Sequence, residues 1–120
     1  MSVQIISHKG KTIVLADYSV CKNQEELLAK HLEVEKVIRK QGKEVLTLVD
    51  VTGTSLNSEF MAAAKDLARR TLNSHVPKGA ILGVTGLKKA LLLGFNVVAT
   101  IKWLPFETKV EAMDYLIAGN

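Results

Sequence analysis

The apolar positions change period along the chain, and each change predicts an element. Residues 3–7, Val-Gln-Ile-Ile-Ser, read as a short strand, and residues 12–18, Thr-Ile-Val-Leu-Ala-Asp-Tyr, as a second. His8-Lys9-Gly10-Lys11 between them has hairpin-turn chemistry, with Gly10 free to take positive φ. The second run is apolar on both faces, which places it inside a sheet. From Gln24 the spacing becomes helical: Leu27, Val34 and Ile38 share one face, flanked by Leu28 and Val37. Asn23 and Glu26 have capping-box spacing, Glu25 and Glu26 suit the first turn, Arg39 and Lys40 the last, and Gly42 stops the helix after residue 41. Residues 45–50 form a third strand. The loop 51–57 leads to a second helix over 58–72, with Phe60, Ala63, Ala64, Leu67 and Thr71 on its buried face. After Pro77 and Gly79, a fourth strand covers 80–85, a third helix 86–98, and a fifth strand 100–104, ended by Pro105. Thr108 and Glu111 open a last helix running to about residue 118. Strands apolar on both faces, separated by helices, predict an α/β fold. The expectation is a five-stranded, mostly parallel sheet with an antiparallel N-terminal edge strand and four helices, in the order ββαβαβαβα, as one domain over 1–120.

Composition narrows the function classes. Hydrophobic residues make up 48% and charged residues 23% of 120, which excludes disorder and a disulfide scaffold. Aromatic residues are only 5%, so the core must come from Leu, Val, Ile and Ala. The single cysteine, Cys21, cannot form an intramolecular disulfide and fits a reducing, cytoplasmic setting. Met1 to Ile6 has neither a basic start nor a long apolar run, so it does not read as a signal peptide. The longest apolar stretch, 90–101, is interrupted by Asn96 and falls short of the roughly 20 residues a membrane span needs. Integral membrane association is not expected. The net charge of +4 is spread over every element without interleaved aromatics, so nucleic acid is not expected as a partner.

Candidate chemistry concentrates at predicted strand ends. Val-Thr-Gly occurs twice, at Val51-Thr52-Gly53 and Val84-Thr85-Gly86. Open α/β sheets bind ligands outside the carboxyl edge, so Asp50, Thr52, Thr54, Ser55, Ser58 and Thr85 are candidates for a partner or ligand site. Turn chemistry explains the same residues without a ligand. Lys88 and Lys89 sit in the first turn of the third helix, where cations oppose the helix dipole unless an anion binds. The run Ala90-Leu91-Leu92-Leu93-Gly94-Phe95, continued by Val97 and Val98, is apolar nearly all round. Such a helix is buried, or it meets a second copy, a protein or a lipid. The three histidines, His8, His31 and His75, lack metal-site spacing, and no cofactor or metal is expected. His31 falls on the apolar face of the first helix, where a satisfied buried side chain is the ordinary role.

The segments Leu48-Val49-Asp50-Val51-Thr52-Gly53 and Gly83-Val84-Thr85-Gly86-Leu87-Lys88-Lys89, with the ending Phe106-x-Thr108-x-x-Glu111-Ala112-x-x-Tyr115-Leu116, resemble the SpoIIAA-like group of STAS/SEC14-type domains. The resemblance covers nearly the whole chain. It implies consecutive strands lying side by side, and regulation or binding in place of catalysis. Anti-sigma-factor antagonists with this fold carry Asp-Ser-Ser-Gly at the start of the second helix, with a phosphorylated serine. Here Ser58-Glu59-Phe60-Met61 stands in that place, so the motif is absent and Ser55 or Ser58 would have to serve instead. The expected function is therefore non-catalytic binding of a protein partner, with a possible homodimer. The alternative is a carrier or sensor of a small anionic or lipid-like ligand at the same surface. An enzyme using Asp50 as acid or base is the weakest reading.

Overall fold

The computed structural model describes residues 3–118; Met1 and Ser2, used above in judging the leader, lie outside them. Five strands form one sheet in the order β1-β2-β3-β4-β5. They are β1 Gln4–His8, β2 Lys11–Asp17, β3 Leu46–Asp50, β4 Gly79–Leu82 and β5 Leu104–Phe106. The β1–β2 pair is an antiparallel hairpin, and each later pair is parallel. Consecutive strands are therefore neighbours throughout, as the SpoIIAA-like resemblance implies. The helices are α1 Gln24–Gln41, α2 Ser58–Leu67, α3 Lys88–Val98 and α4 Lys109–Ile117.

Alternation along the strands splits the core into two layers. On one face Val14, Ala16 and Val51 pack with Leu27, Val34 and Ile38 of α1, Phe60, Ala64 and Leu67 of α2, and Phe95 of α3. On the other, Ile13, Leu15, Leu48, Ala80 and Leu82 pack with Ala112 and Leu116 of α4. Three helices thus cover one face and a single helix the other. Asn23, Asn57 and Thr108 cap α1, α2 and α4, each accepting from the backbone N–H three residues on.

Four boundaries depart from the sequence pattern, each for a local reason. The second helix does not run evenly to residue 72. It passes into a π-helical turn, Ala68–Leu72, where Asn73 N–H reaches Ala68 O, and then a short turn, Asn73–His75. That turn carries Arg70 and Thr71, and both donate to Glu35 of α1. Strand β4 ends at Leu82 because Gly83 takes φ +85°, and a Cβ there would come within 2.5 Å of Thr52. Helix α3 begins at Lys88, not at 86, because Gly86 lies at φ +57°. The fifth strand is Leu104–Phe106 and not 100–104, so Pro105 lies inside it and does not end it. The backbone before it is already engaged: Trp103 N–H donates to Asn96 Oδ1 at 2.9 Å, and Asn96 Nδ2 donates to Trp103 O at 3.1 Å.

Candidate functional site

Strands β3 and β4 end side by side, and Val51 N–H donates to Leu82 O at 3.0 Å to carry the pairing one residue further. The candidate residues from the sequence therefore do gather at one carboxyl edge. Their polar groups are largely turned on their own loop. Asp50 Oδ1 accepts from Thr52 N–H at 2.9 Å and from Thr52 Oγ1 at 2.6 Å. Thr54 Oγ1 donates to Val51 O at 2.7 Å. Ser55 and Ser58 are exposed, Ser58 being the first residue of α2.

At the start of α3 the amides that would hold an anion are already bonded within the turn. Lys88, Lys89 and Ala90 donate to the carbonyls of Thr85, Gly86 and Leu87, each at 3.1 Å. The Lys88 side chain bends inward, and its Nζ donates to Val51 O at 2.9 Å. Lys89 is exposed.

Beneath these loops lies an apolar cavity of about 90 Å³ between the sheet and helices α1, α2 and α3. This is smaller than the cavity of about 150 Å³ that admits benzene. Val51, Leu56, Val84 and Lys88 line it, whereas Thr52, Thr54, Ser55, Thr85 and Lys89, their neighbours in sequence, do not. Its deeper walls include Val49 and Ile81 of the sheet, Ala64 of α2, and Leu92 and Phe95 of α3.

The polar side chains in the lining are Tyr18, His31, Thr47, Lys88 and Trp103. Tyr18 Oη and His31 Nδ1 are 2.8 Å apart, and His31 Nε2 lies 3.2 Å from Phe60 O. That carbonyl only accepts, so Nε2 carries the proton and Tyr18 donates to Nδ1. Burial pushes the imidazole pKa down to about 4, against a partial offset from the Phe60 carbonyl. Burial also raises the Tyr18 phenol, so both groups stay neutral at pH 7. Thr47 Oγ1 donates to Val45 O. Trp103 differs from the others: the residue is 2% exposed, and its Nε1–H has no acceptor among the described residues.

Helix α3 roofs the cavity lightly. Phe95 is its one buried residue, while Leu87, just before it, and Leu93 and Val97 are 75%, 69% and 85% exposed. The apolar run is thus split between a thin inner face and an open outer one. Among the described residues no helix is long and apolar enough to cross a membrane, and no group of three or more His, Cys, Asp or Glu side chains is placed to hold a metal ion.

A solved structure from Shewanella loihica PV-4, an uncharacterized protein of the DUF3478 family with a SpoIIAA-like fold, superposes on this chain with a TM-score of 0.70. The match covers 96% of this chain and 92% of that one, at 16% sequence identity. The fold is SpoIIAA-like. No protein-family model matches the sequence, and no curated protein matches it either. The SpoIIAA-like architecture fixes which loops share an edge. Sequence reasoning found the loops and missed the cavity under them. The available signal was the third helix, which carries more apolar residues than one buried face can use.

Proposed function

We propose that this SpoIIAA-like domain acts by binding, without catalysis, and that it takes up a small apolar molecule in the cavity beneath α3. The observation that carries this reading is the lining itself, which is aliphatic and aromatic apart from a few side chains, nearly all paired within the protein. An apolar cavity of that kind disfavours water and favours a molecule that replaces lost dispersion contacts. The roof also supports it: the helix has one buried residue, Phe95, with Leu92 and Val98 half-buried beside it, so its outward displacement to admit a guest larger than the resting volume disrupts little buried apolar contact. Lys88, at the mouth, is the side chain that would have to release Val51 O on entry.

The test uses n-pentane as probe with methyl-labelled protein. Saturable shifts at Val49, Ile81 and Leu92, abolished in Ala64→Leu, are expected. Shifts that grow linearly and equally in both proteins would sink the reading. A second reading, a protein partner or a second copy, draws on the exposed Leu87, Leu93 and Val97; light scattering against concentration checks the second copy.

A further inference from the structure

Trp103 is the most elaborately positioned side chain in the cavity wall. Its backbone is held on both sides by the Asn96 amide. Its Cδ2, Cε3 and Cζ3 atoms press on Gly79, where an added Cβ would lie 2.3 Å from the ring, so only glycine allows this seat. Phe95 meets it edge-on, with ring centroids 6.1 Å apart. The Nε1–H lies on the ring edge opposite Cε3, is sealed from solvent, and has no acceptor among the described residues. Buried indole N–H groups ordinarily find a partner, because leaving one unmet carries the desolvation penalty of the group.

The other polar groups of the lining do not reach it. Tyr18 donates to His31 Nδ1 and Thr47 to Val45 O, and although each hydroxyl keeps lone pairs, neither lies within hydrogen-bond distance of Nε1. A water molecule needs two to four polar partners, and this lining offers few that are free. A carboxylate would lose its hydration in this apolar lining, a cost that Lys88, with one of its three N–H groups on Val51 O, offsets only in part.

Resting on the apolar-ligand reading above, we infer that the ligand is a small neutral molecule with one hydrogen-bond acceptor, a ketone, aldehyde, ester or ether oxygen, received by Trp103 Nε1–H once entry shifts the packing that seals that edge of the indole. Its remaining atoms are hydrocarbon and fill the space against Val49, Ile81 and Leu92. The indole thus sets specificity: it selects for an oxygen at one depth in a cavity that otherwise reads only shape.

Three probes of matched length separate the possibilities: pentan-2-one, n-pentane and pentanoate. Trp103 is the only tryptophan, so ¹⁵N-labelled protein gives a single indole resonance. Pentan-2-one should bind about tenfold more tightly than n-pentane and move that resonance downfield. In Trp103→Phe, which keeps an aromatic ring without the donor, the preference should fall to about onefold. If that variant does not fold, the indole shift in the unaltered protein decides alone. Equal affinities with an unmoved resonance overturn the acceptor assignment and leave the apolar-ligand reading standing. Entry of neither neutral probe overturns both. Tighter binding of pentanoate with the indole shifted overturns neutrality, and a strong exchange signal between the indole and water shows the donor satisfied without a ligand.

Discussion

Acidification should loosen this domain well before its carboxylates titrate, and His31 is the reason. In an unfolded chain its imidazole protonates near pH 6.5, whereas in the fold burial holds it at about 4. Because the folded value is depressed, the unfolded state binds the proton first, and stability falls as pH drops through this window. At about 1.4 kcal/mol per pH unit, the gap amounts to about 3 kcal/mol, present in full above pH 6.5 and gone by about pH 4. That is a large share of the roughly 5–15 kcal/mol that holds a domain together. The groups acting on His31 are Tyr18 and the Phe60 carbonyl by hydrogen bond, and Arg70 by charge. His31→Gln is the informative variant, since its amide can accept from Tyr18 and donate to Phe60 O without titrating. Urea unfolding of both proteins between pH 7 and about pH 4.5 should show the original losing about 2–3 kcal/mol and the variant less than half of that. Parallel pH curves for the two would refute the reasoning.

A second acid response is set lower. Arg70, Thr71 and Arg39 hold the Glu35 carboxyl down to about 2, Arg70 foremost through two hydrogen bonds at 2.9 and 3.1 Å. Its contribution is present above the ordinary carboxyl value and lost as pH falls toward 2. Glu35→Gln should cost about 2 kcal/mol at pH 7, after allowance for the exposed arginines, and should flatten the unfolding curve below about pH 4.5. Gly79→Ala should cost about 2–3 kcal/mol, because its Cβ collides with the Trp103 ring. A lowered urea midpoint with unchanged slope, and shifted Trp103 emission, are the readouts.

Element order and the two-faced strands were legible because they rest on local periodicity, and Asn23 and Thr108 announced their helices through capping geometry. The buried face of the second helix was readable in large part: Phe60, Ala64 and Leu67 obey a single helical spacing up to the π turn and Thr71 is buried within it, whereas Ala63, expected on the same face, is only half-buried. That turn was not legible: nothing in Ala68-Arg69-Arg70-Thr71-Leu72 marks a widened helix, and its partner Glu35 is far away in sequence. The Asn96 clamp on Trp103 was hidden for another reason: it joins a helix side chain to the backbone of the loop after it, seven residues on, which no periodicity marks, and the last strand starts only beyond it. At the site, Thr52 and Thr85 were visible as strand-end residues. The cavity was not, because its wall is made of ordinary core residues and only their assembly leaves space. His31 was recognisable as a buried histidine from its place on α1, but its partners Tyr18 and Phe60 come from two other elements.

The short last strand has a consequence for how these molecules meet one another. An open sheet edge normally invites a neighbouring chain to add a strand, and with it a route to fibres. Here the β5 edge is three residues long with Pro105 at its centre, and the approach to it is already taken by the Asn96 amide. A proline there has no amide hydrogen to offer. Backbone recruitment along this border is therefore blocked, and whatever association the protein undergoes on this side must be made through side chains on the helical surface, where it can be selective and reversible.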